Sequence, residues 1–345
     1  MSRSSPRPAG LIDVHTHVVP ASFPAAPAHN PRWPCLCLRD ADHGVIKFAG
    51  KAFRELDGRS WQVSQRLADM DSAGIAAQAL SPMPELLSYW FTANDGLDLA
   101  RYVNHQIAEM VARAPSRFYG LGMVPLQDVS LATAELARLK RDGFAGIQIG
   151  SNINGVFPGE AHFDAFFAEC ARLGLAVFVH ALHPIGAERL LVFPDLVPFA
   201  AFPLDTGLAA ITLIRAGVLE RHPQLRIGFS HGGGAVVPLT HRLKQGWLSS
   251  DGFNGLLSHA PQHYAAQCFY DSLVYDVDYL DYFATRFAPG QVFAGTDYPY
   301  AIAQQDVVGF LTGSAHCAVN TANDAARRFL GIDENSNTVV ADHIS

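Results

Sequence analysis

The sequence predicts an α/β protein of the (β/α)8 TIM barrel class, a closed parallel sheet, with a long insertion after the first strand. Eight short apolar runs of strand length alternate along the chain with amphipathic stretches of helical length. Most of the short runs are almost continuously apolar, as strands covered on both faces are. The predicted strands are 11–19, 76–82, 118–125, 146–150, 176–181, 226–231, 267–272 and 291–299.

Stretches of helical length fill the intervals between most of these runs. Gly143, Gly174 and Pro223 each follow such a stretch, and both residue types are typical of helix C-terminal ends. The predicted helices are 62–73, 97–114, 131–141, 163–173, 206–221, 236–248 and 279–287. No internal repeat, linker or low-complexity tract divides the chain, so we expect residues 1–345 to form a single domain.

The main irregularity lies between the first strand and the first helix, over residues 20–60. This segment is rich in proline and contains a predicted hairpin of 45–48 with 51–54. An excursion of this length on a barrel is more often functional than disordered. We therefore expect residues 20–60 to form a lid or a wall of the pocket. A second long loop, 183–202, follows the fifth strand.

Composition excludes several classes of protein. The 25 basic and 32 acidic residues give a net charge of −7, so no overall positive charge favours nucleic acid or an anionic membrane. No uninterrupted apolar run approaches the roughly 18 residues of a membrane span, and no secretory apolar segment follows Met1. Five cysteines are too few, and odd in number, for a disulfide framework. We expect a cytoplasmic protein that binds neither nucleic acid nor membrane.

Imidazole and carboxylate side chains stand at the C-terminal ends of four predicted strands. His15 and His17 end the first strand and, two residues apart, project from the same side of it. His180, His231 and Asp297 end the fifth, sixth and eighth strands. Barrel enzymes build their active sites on this face. Any one of these residues alone is more often a capping or core group, but five at equivalent ends predict a site.

Three imidazoles and one carboxylate suit a divalent cation, most readily Zn²⁺ with Mn²⁺ as the alternative, and leave a position open for water or substrate. The predicted ligands of this one cation are His15, His17, His180 and Asp297. His231 leads into the flexible turn 232–234, where a substrate can approach the backbone, and we assign it as the general acid/base. Strand four lacks the lysine that bridges two metals in many barrel hydrolases, which favours a single cation.

Together these residues resemble the amidohydrolase superfamily, and within it the decarboxylase branch typified by 2-amino-3-carboxymuconate-6-semialdehyde decarboxylase. The resemblance extends from about residue 11 to residue 330. The matching segments, in family order, are 12–17 (IDVHTH), 78–81, 120–125, 146–150, 177–180, 229–235 (FSHGGGA) and 295–299 (GTDYP). It implies a metal held by His15, His17, His180 and Asp297, and an acid/base at His231, in agreement with the assignment from strand ends.

The resemblance also implies residues that contact the substrate. Arg54 matches a family arginine that meets the substrate carboxylate, and Lys47 or Lys51 would add charge nearby. The family also uses an arginine of the neighbouring subunit, and Arg242 is similar in position. The alternative for each is a solvated surface charge. Family members have Pro-Trp after the strand-five histidine; this chain instead places His183 near the site, which indicates a different substrate.

We therefore predict a metal-dependent, non-oxidative decarboxylase of a small unsaturated or aromatic carboxylic acid. Asp297 would serve both as ligand and as proton carrier. A hydrolase or hydratase that uses the same metal-bound water is the alternative, and a non-catalytic binding barrel is a third. The resemblance and the low charged fraction, 17%, predict a homodimer. Cys35 and Cys37 have the spacing of a soft-metal or redox site, but no second pair accompanies them.

Overall fold

The apolar runs of the sequence become the strands of one parallel sheet in the computed structural model, which describes residues 10–332. The eleven strands of this part of the chain are β1 Leu11–Val18, β2 Cys35–Leu38, β3 His43–Phe48, β4 Lys51–Asp57, β5 Ile75–Pro82, β6 Phe118–Gly122, β7 Gly146–Gly150, β8 Ala176–His180, β9 Ile227–Phe229, β10 Phe269–Asp271 and β11 Val292–Phe293. The parallel sheet has the order β1-β5-β6-β7-β8-β9-β10-β11. Bridges from Asp13 to Ala294 and from Thr16 to Tyr298 bring its two edges together. The predicted (β/α)8 barrel with an insertion after its first strand is confirmed.

Two strands are much shorter than the sequence predicts, and both end where functional residues begin. The predicted strands 226–231 and 291–299 are reduced to β9 and β11. His231 and Asp297 have φ angles of 56° and 65°, a left-handed conformation that no strand contains. Because the chain leaves the sheet before these residues, both side chains can turn toward the barrel mouth.

Helices cover the outside of the sheet. Those described are α1 Val63–Ser72, α2 Ala93–Arg113, α3 Val129–Arg141, α4 Asp164–Leu173, α5 Phe202–Arg215, α6 Val218–Arg221, α7 Val236–Leu248, α8 Asp251–Gly255, α9 Pro261–Ala265, α10 Val277–Tyr282, α11 Val307–Gly313 and α12 Val319–Leu330. The predicted helix 206–221 is two helices, because Gly217 lies between them with a φ of 72°. The sequence prediction missed α12, which packs on β1 and β11 through a buried face that includes Ala322, Ala325, Ala326 and Phe329.

The insertion folds as a separate antiparallel sheet of β2, β3 and β4. The predicted hairpin is confirmed as β3 and β4, whereas β2 was not predicted. Ile46 and Leu56 are buried and belong to the main apolar core, so the sheet is packed against the barrel. In the ladder Ile46 lies opposite Arg54, which places the arginine at the edge of the barrel mouth.

The second long loop leads into a strongly apolar helical stretch. Val197–Arg215 comprises a π-helical turn and α5, and by length and composition alone it could cross a membrane, with a mean hydropathy of 1.6. Of this stretch, 44% is buried inside the protein, where α5 contacts α7 and α9. A Cβ at Gly207 would lie 3.0 Å from the backbone of Ala235, so this glycine allows close packing on the chain leading into α7.

Candidate metal centre

The four predicted ligands converge in the barrel mouth. One nitrogen or oxygen from each of His15, His17, His180 and Asp297 lies within 4.8 Å of the others, and all four residues are buried. Nε2 of His15 and Nε2 of His17 are 3.1 Å apart. Oδ1 of Asp297 lies 3.1 Å from Nε2 of His17 and 3.4 Å from Nε2 of His15. The strand alternation that places both β1 imidazoles on one side therefore holds in three dimensions.

Each imidazole is oriented through its other ring nitrogen. Nδ1 of His15 donates to Oδ2 of Asp271 at 2.7 Å, and Nδ1 of His17 donates to the Pro82 carbonyl at 3.1 Å. Nδ1 of His180 donates to the Ala181 carbonyl at 2.8 Å. With the protons on Nδ1, the three Nε2 lone pairs point inward. Outer partners of this kind fix the tautomer of metal-binding histidines.

The centre of the cluster lacks protein hydrogen-bond donors. Nε2 of His180 and Oδ1 of Asp297 are buried and have no hydrogen-bond partner within residues 10–332. Buried polar atoms without partners are costly, and a divalent cation would satisfy both of these at once. The donor set of three imidazoles and one carboxylate also suits such an ion. The residues present therefore fit a bound metal.

The protonation states favour the same role. Burial, together with the neighbouring His17 and His15, holds the pKa of His180 well below its usual range, so its Nε2 is free to bind. Burial alone would raise the pKa of Asp297, but the surrounding imidazoles outweigh it and hold that pKa well below the usual range. The cluster therefore presents neutral imidazole and ionised carboxylate, which are the forms that bind cations.

His231 lies beside this cluster and faces the cavity. Its ring centroid is 5.1 Å from that of His180, and its Nε2 is 3.9 Å from Oδ2 of Asp297. Its Nδ1 lies 3.1 Å from the hydroxyl of Ser230. The side chain is 16% exposed, against 8% for Asp297. His231 is therefore placed to exchange protons with a bound molecule.

Asp271 is a site residue that the sequence interpretation missed. It is the last residue of β10, and besides binding His15 it accepts the backbone N–H groups of His231 at 2.8 Å and Gly232 at 2.6 Å. Although burial would raise the pKa of Asp271, its hydrogen bond and charge interaction with His15 lower it. The signal was available, because Asp271 also stands at the C-terminal end of a predicted strand.

β7, the fourth strand of the barrel, carries Gln148 near the place where many two-metal hydrolases hold a bridging lysine. Its Nε2 donates to the Pro82 carbonyl at 2.9 Å, the same oxygen that orients His17. Gln148 is fully buried and neutral, so it supports the cluster without adding a charged ligand.

A cavity of about 610 Å³ opens above the cluster. Its described lining is mainly apolar, with polar groups from Arg54, Glu85, His180, His231, Asp297 and Tyr300. The ring of Tyr300 stacks on His17 with centroids 5.2 Å apart, and the guanidinium of Arg54 lies 4.4 Å from the centre of the same ring. Arg54 forms no ion pair with any residue between 10 and 332. Its donors are therefore available to a bound anion.

The remaining predicted substrate-binding residues do not line this cavity. Lys51 is exposed, and Lys47 is half-buried opposite Cys35 in the β2–β3 ladder. Arg242 is exposed on α7. His183 stacks on Trp90 with ring centroids 4.7 Å apart instead of facing the cluster. Of the five predicted substrate contacts, the geometry of this chain brings only Arg54 to the cavity.

Comparison with known proteins agrees with the site. The sequence profile described as amidohydrolase matches residues 12–312. The chain is 32% identical to 2-amino-3-carboxymuconate-6-semialdehyde decarboxylase of Dictyostelium discoideum, over 94% of this chain and 92% of that protein. The crystal structure of 5-carboxyvanillate decarboxylase from Sphingomonas paucimobilis superposes with a TM-score of 0.76 at 24% identity, covering 94% and 99% of the two chains.

Dihydroxybenzoic acid decarboxylase from Polaromonas sp. JS666, solved with bound manganese and 2-nitroresorcinol, superposes with a TM-score of 0.74 at 19% identity, covering 95% and 99%. These structures share the overall fold of this chain. The fold and the His-His-His-Asp cluster, together with the sequence match, define an amidohydrolase-superfamily protein. Within that superfamily, the chain belongs to the family of metal-dependent decarboxylases that includes the Dictyostelium enzyme.

Proposed function

We propose that the protein removes CO₂ without oxidation from a small unsaturated or aromatic carboxylic acid. The observation that carries this proposal is the cavity itself, in which the metal-binding cluster and the unpaired guanidinium of Arg54 face one mainly apolar space. Apolar walls with a few convergent polar groups suit a flat, unsaturated acid. The aromatic acids named for the related decarboxylases support the same substrate class.

The cation is proposed to be Zn²⁺, which imidazole-rich sites favour, with Mn²⁺ as the alternative. Manganese in the Polaromonas enzyme supports the alternative. When bound, the ion would supply Lewis acidity that polarises and orients the substrate. His15, His17, His180 and Asp297 would hold it, with Asp271 and the Pro82 and Ala181 carbonyls fixing the three imidazoles.

The side chains of the cavity would bind the substrate and transfer the proton. Arg54 would hold a substrate carboxylate with its planar donors and keep the acid in one orientation, which lowers the entropic part of the barrier. Cleavage of the carbon–carboxylate bond leaves an electron pair on carbon, and that carbon must take up a proton as CO₂ departs. His231, at the cavity wall, would donate this proton, with Asp297 3.9 Å away as the group that relays it.

The assembly is proposed to be a cytoplasmic homodimer. Apolar residues of the second long loop are strongly exposed beside the cavity, with Leu191 80%, Val192 82% and Phe199 61% accessible. A second copy would cover such a surface, and the exposed Arg242 would then be free to reach the partner's cavity. Sedimentation that gives only monomer at micromolar concentration would contradict the dimer.

The test of the activity is CO₂ release. Protein reconstituted with Zn²⁺ or with Mn²⁺ is incubated with a panel of hydroxybenzoic, aminobenzoic and muconic-type acids, and evolved CO₂ and product are quantified. We expect one or more acids to lose CO₂ stoichiometrically, with His231→Asn losing at least about 10²-fold in rate because the proton donor is removed. Addition of water to a muconic-type acid without CO₂ would instead support the hydratase alternative, and cleavage of a lactone or amide added to the panel would support the hydrolase.

A further inference from the structure

One charged group of the cavity has no part in the proposed mechanism. Glu85 lies in the short helical turn Pro84–Leu87, directly after β5, and its side chain lines the cavity together with Arg54 and Asp297. This turn begins at the C-terminal face of the barrel, where site residues gather. The sequence interpretation passed over it because Glu85 stands three residues beyond the strand end.

The carboxyl of Glu85 has no partner on another residue in the described part of the chain. Among the described residues it neither hydrogen bonds nor pairs within 4.0 Å with any other side chain. It interacts at longer range with the positive charge of Arg54, while the hydroxyl of the neighbouring Tyr300 is buried and has no hydrogen-bond partner either. Glu85 is half-buried, so a molecule that fills the cavity would leave this carboxyl unsatisfied unless it supplies a donor.

Arg54 and Glu85 thus face one cavity without closing an ion pair, and the charge of Arg54 favours the ionised form of the Glu85 carboxyl. The space between a free guanidinium and a free carboxyl suits a molecule with an acceptor at one end and a donor at the other. We propose that Glu85 is a specificity residue that selects acids bearing a neutral hydroxyl or amino substituent beside the carboxylate held by Arg54, and disfavours acids with a second carboxylate there. The inference rests on the proposed function for the role of Arg54.

Electrostatics gives the sign of this selection. A hydroxyl or amino N–H that donates to Glu85 forms a charge-assisted hydrogen bond, which is stronger than one between neutral groups. A second carboxylate at the same place would face the charge of Glu85 in an enclosed space, where like charges repel strongly. Apart from the metal-binding cluster, the described lining offers one cation, Arg54, and one carboxyl, Glu85, so only one substrate carboxylate finds a positive partner there.

Binding to metal-loaded protein tests the inference by isothermal titration with benzoate, 3-hydroxybenzoate and benzene-1,3-dicarboxylate as probes. We expect the wild type to bind 3-hydroxybenzoate more tightly than the dicarboxylate. Glu85→Gln is expected to narrow the ratio of the two affinities by about tenfold, mainly because the dicarboxylate binds better. Benzoate, which has neither substituent, should change little.

Glu55→Gln is the matched control, because Glu55 follows Arg54 on β4 but is 75% exposed and pairs with Arg39. It removes the same kind of charge, from the hairpin that carries Arg54, and should leave the ratio at the wild-type value. Thermal melting of both variants checks that each is folded. An unchanged ratio in Glu85→Gln, or an equal change in Glu55→Gln, would overturn the inference.

The outcomes separate the inference from the proposed function. Intact selectivity in the titrations, with no CO₂ released from any acid by metal-loaded protein, would remove the proposed activity and leave Glu85 as a selector of ligands. Suppose instead that hydroxybenzoate and dicarboxylate both release CO₂, and that Glu85→Gln binds each of them as tightly as the wild type does. This result would support the proposed activity and would contradict the role of Glu85 as a selector. Failure of all three probes to bind would remove both.

Discussion

Nδ1 of His15 lies 2.7 Å from Oδ2 of Asp271, and both side chains are fully buried. The same carboxylate accepts the backbone N–H groups of His231 and Gly232. One side chain therefore orients a metal-binding imidazole and also anchors the turn that carries the acid/base. The metal cluster and the proton donor are linked through Asp271, although His15 and Asp271 are 256 residues apart in the sequence.

Asp271→Asn is expected to weaken metal binding by about 10- to 100-fold, because the neutral amide is a poorer acceptor for the imidazole N–H and no longer stabilises its orientation. Competition with a fluorescent chelator measures the affinity. Asp324→Asn, a change on an exposed helix position, should leave the affinity at the wild-type value. Equal affinity in Asp271→Asn and wild type would show that His15 does not depend on this partner.

Gly295→Ala is expected to disrupt the same pair by steric conflict. A Cβ at this position would lie 2.6 Å from Cβ of Asp271 and 2.8 Å from Cβ of His15, distances that side chains do not tolerate. Overpacking of this kind costs about 1–3 kcal/mol in stability, and here it also separates two site residues. Urea unfolding and metal content measure both effects. Gly246→Ala, where the nearest atom is 3.7 Å away, should retain the metal and the stability.

His180→Ala is expected to lose the metal, whereas His183→Ala is expected to keep it. His180 contributes an inward Nε2 to the cluster, but His183 stacks on Trp90 outside the cavity lining. Elemental analysis of protein purified without chelator should give about one divalent ion per chain for wild type and His183→Ala, since four donors define one site. Retention of the ion by His180→Ala would show that the metal binds to other residues. About two ions in wild type would contradict the single-metal cluster.

Glu85 gives a pH dependence of stability. Burial raises the pKa of Glu85, and although Arg54 opposes this shift, Asp297 adds to it. A carboxyl with a raised pKa in the folded state contributes stability below its unfolded pKa, and this contribution is lost as pH rises through the folded pKa. Relative to Glu85→Gln, wild type should therefore lose stability as the pH rises above about 4.5 and through the raised pKa that Glu85 has in the folded state.

Thermal melting of both proteins across this range measures the difference between them, so titration of the shared metal cluster cancels. Glu55→Gln, with its exposed side chain, should show no such trend relative to wild type. A constant difference between Glu85→Gln and wild type at all pH values would contradict the raised pKa. The result also bears on the selector role, because an acid that donates to Glu85 stabilises its charged form.

Most of the barrel and its polar cluster follow from the sequence because both depend on short-range patterns. Continuous apolar runs mark buried parallel strands, and polar residues at their ends meet at one face. Residues whose position depends on chain reversals beyond the strands were harder to place. His183 lies only three residues after His180, yet its φ of 43° turns the ring away to Trp90. Glu85 reaches the cavity through a helical turn of four residues, which is too short to give a hydrophobic periodicity in the sequence.

The arginine at the cavity and the metal-binding imidazoles belong to two sheets that share no strand. Arg54 lies in the antiparallel ladder of β2–β4, whereas the imidazoles are rooted in or directly after the strands of the parallel barrel. Mutations that change the inserted antiparallel sheet can therefore alter which substrates bind without disturbing the metal-binding cluster of the barrel. Evolution, or a protein engineer grafting a different insertion between β1 and α1, can diversify the substrate range of this scaffold while inheriting its reactive centre intact.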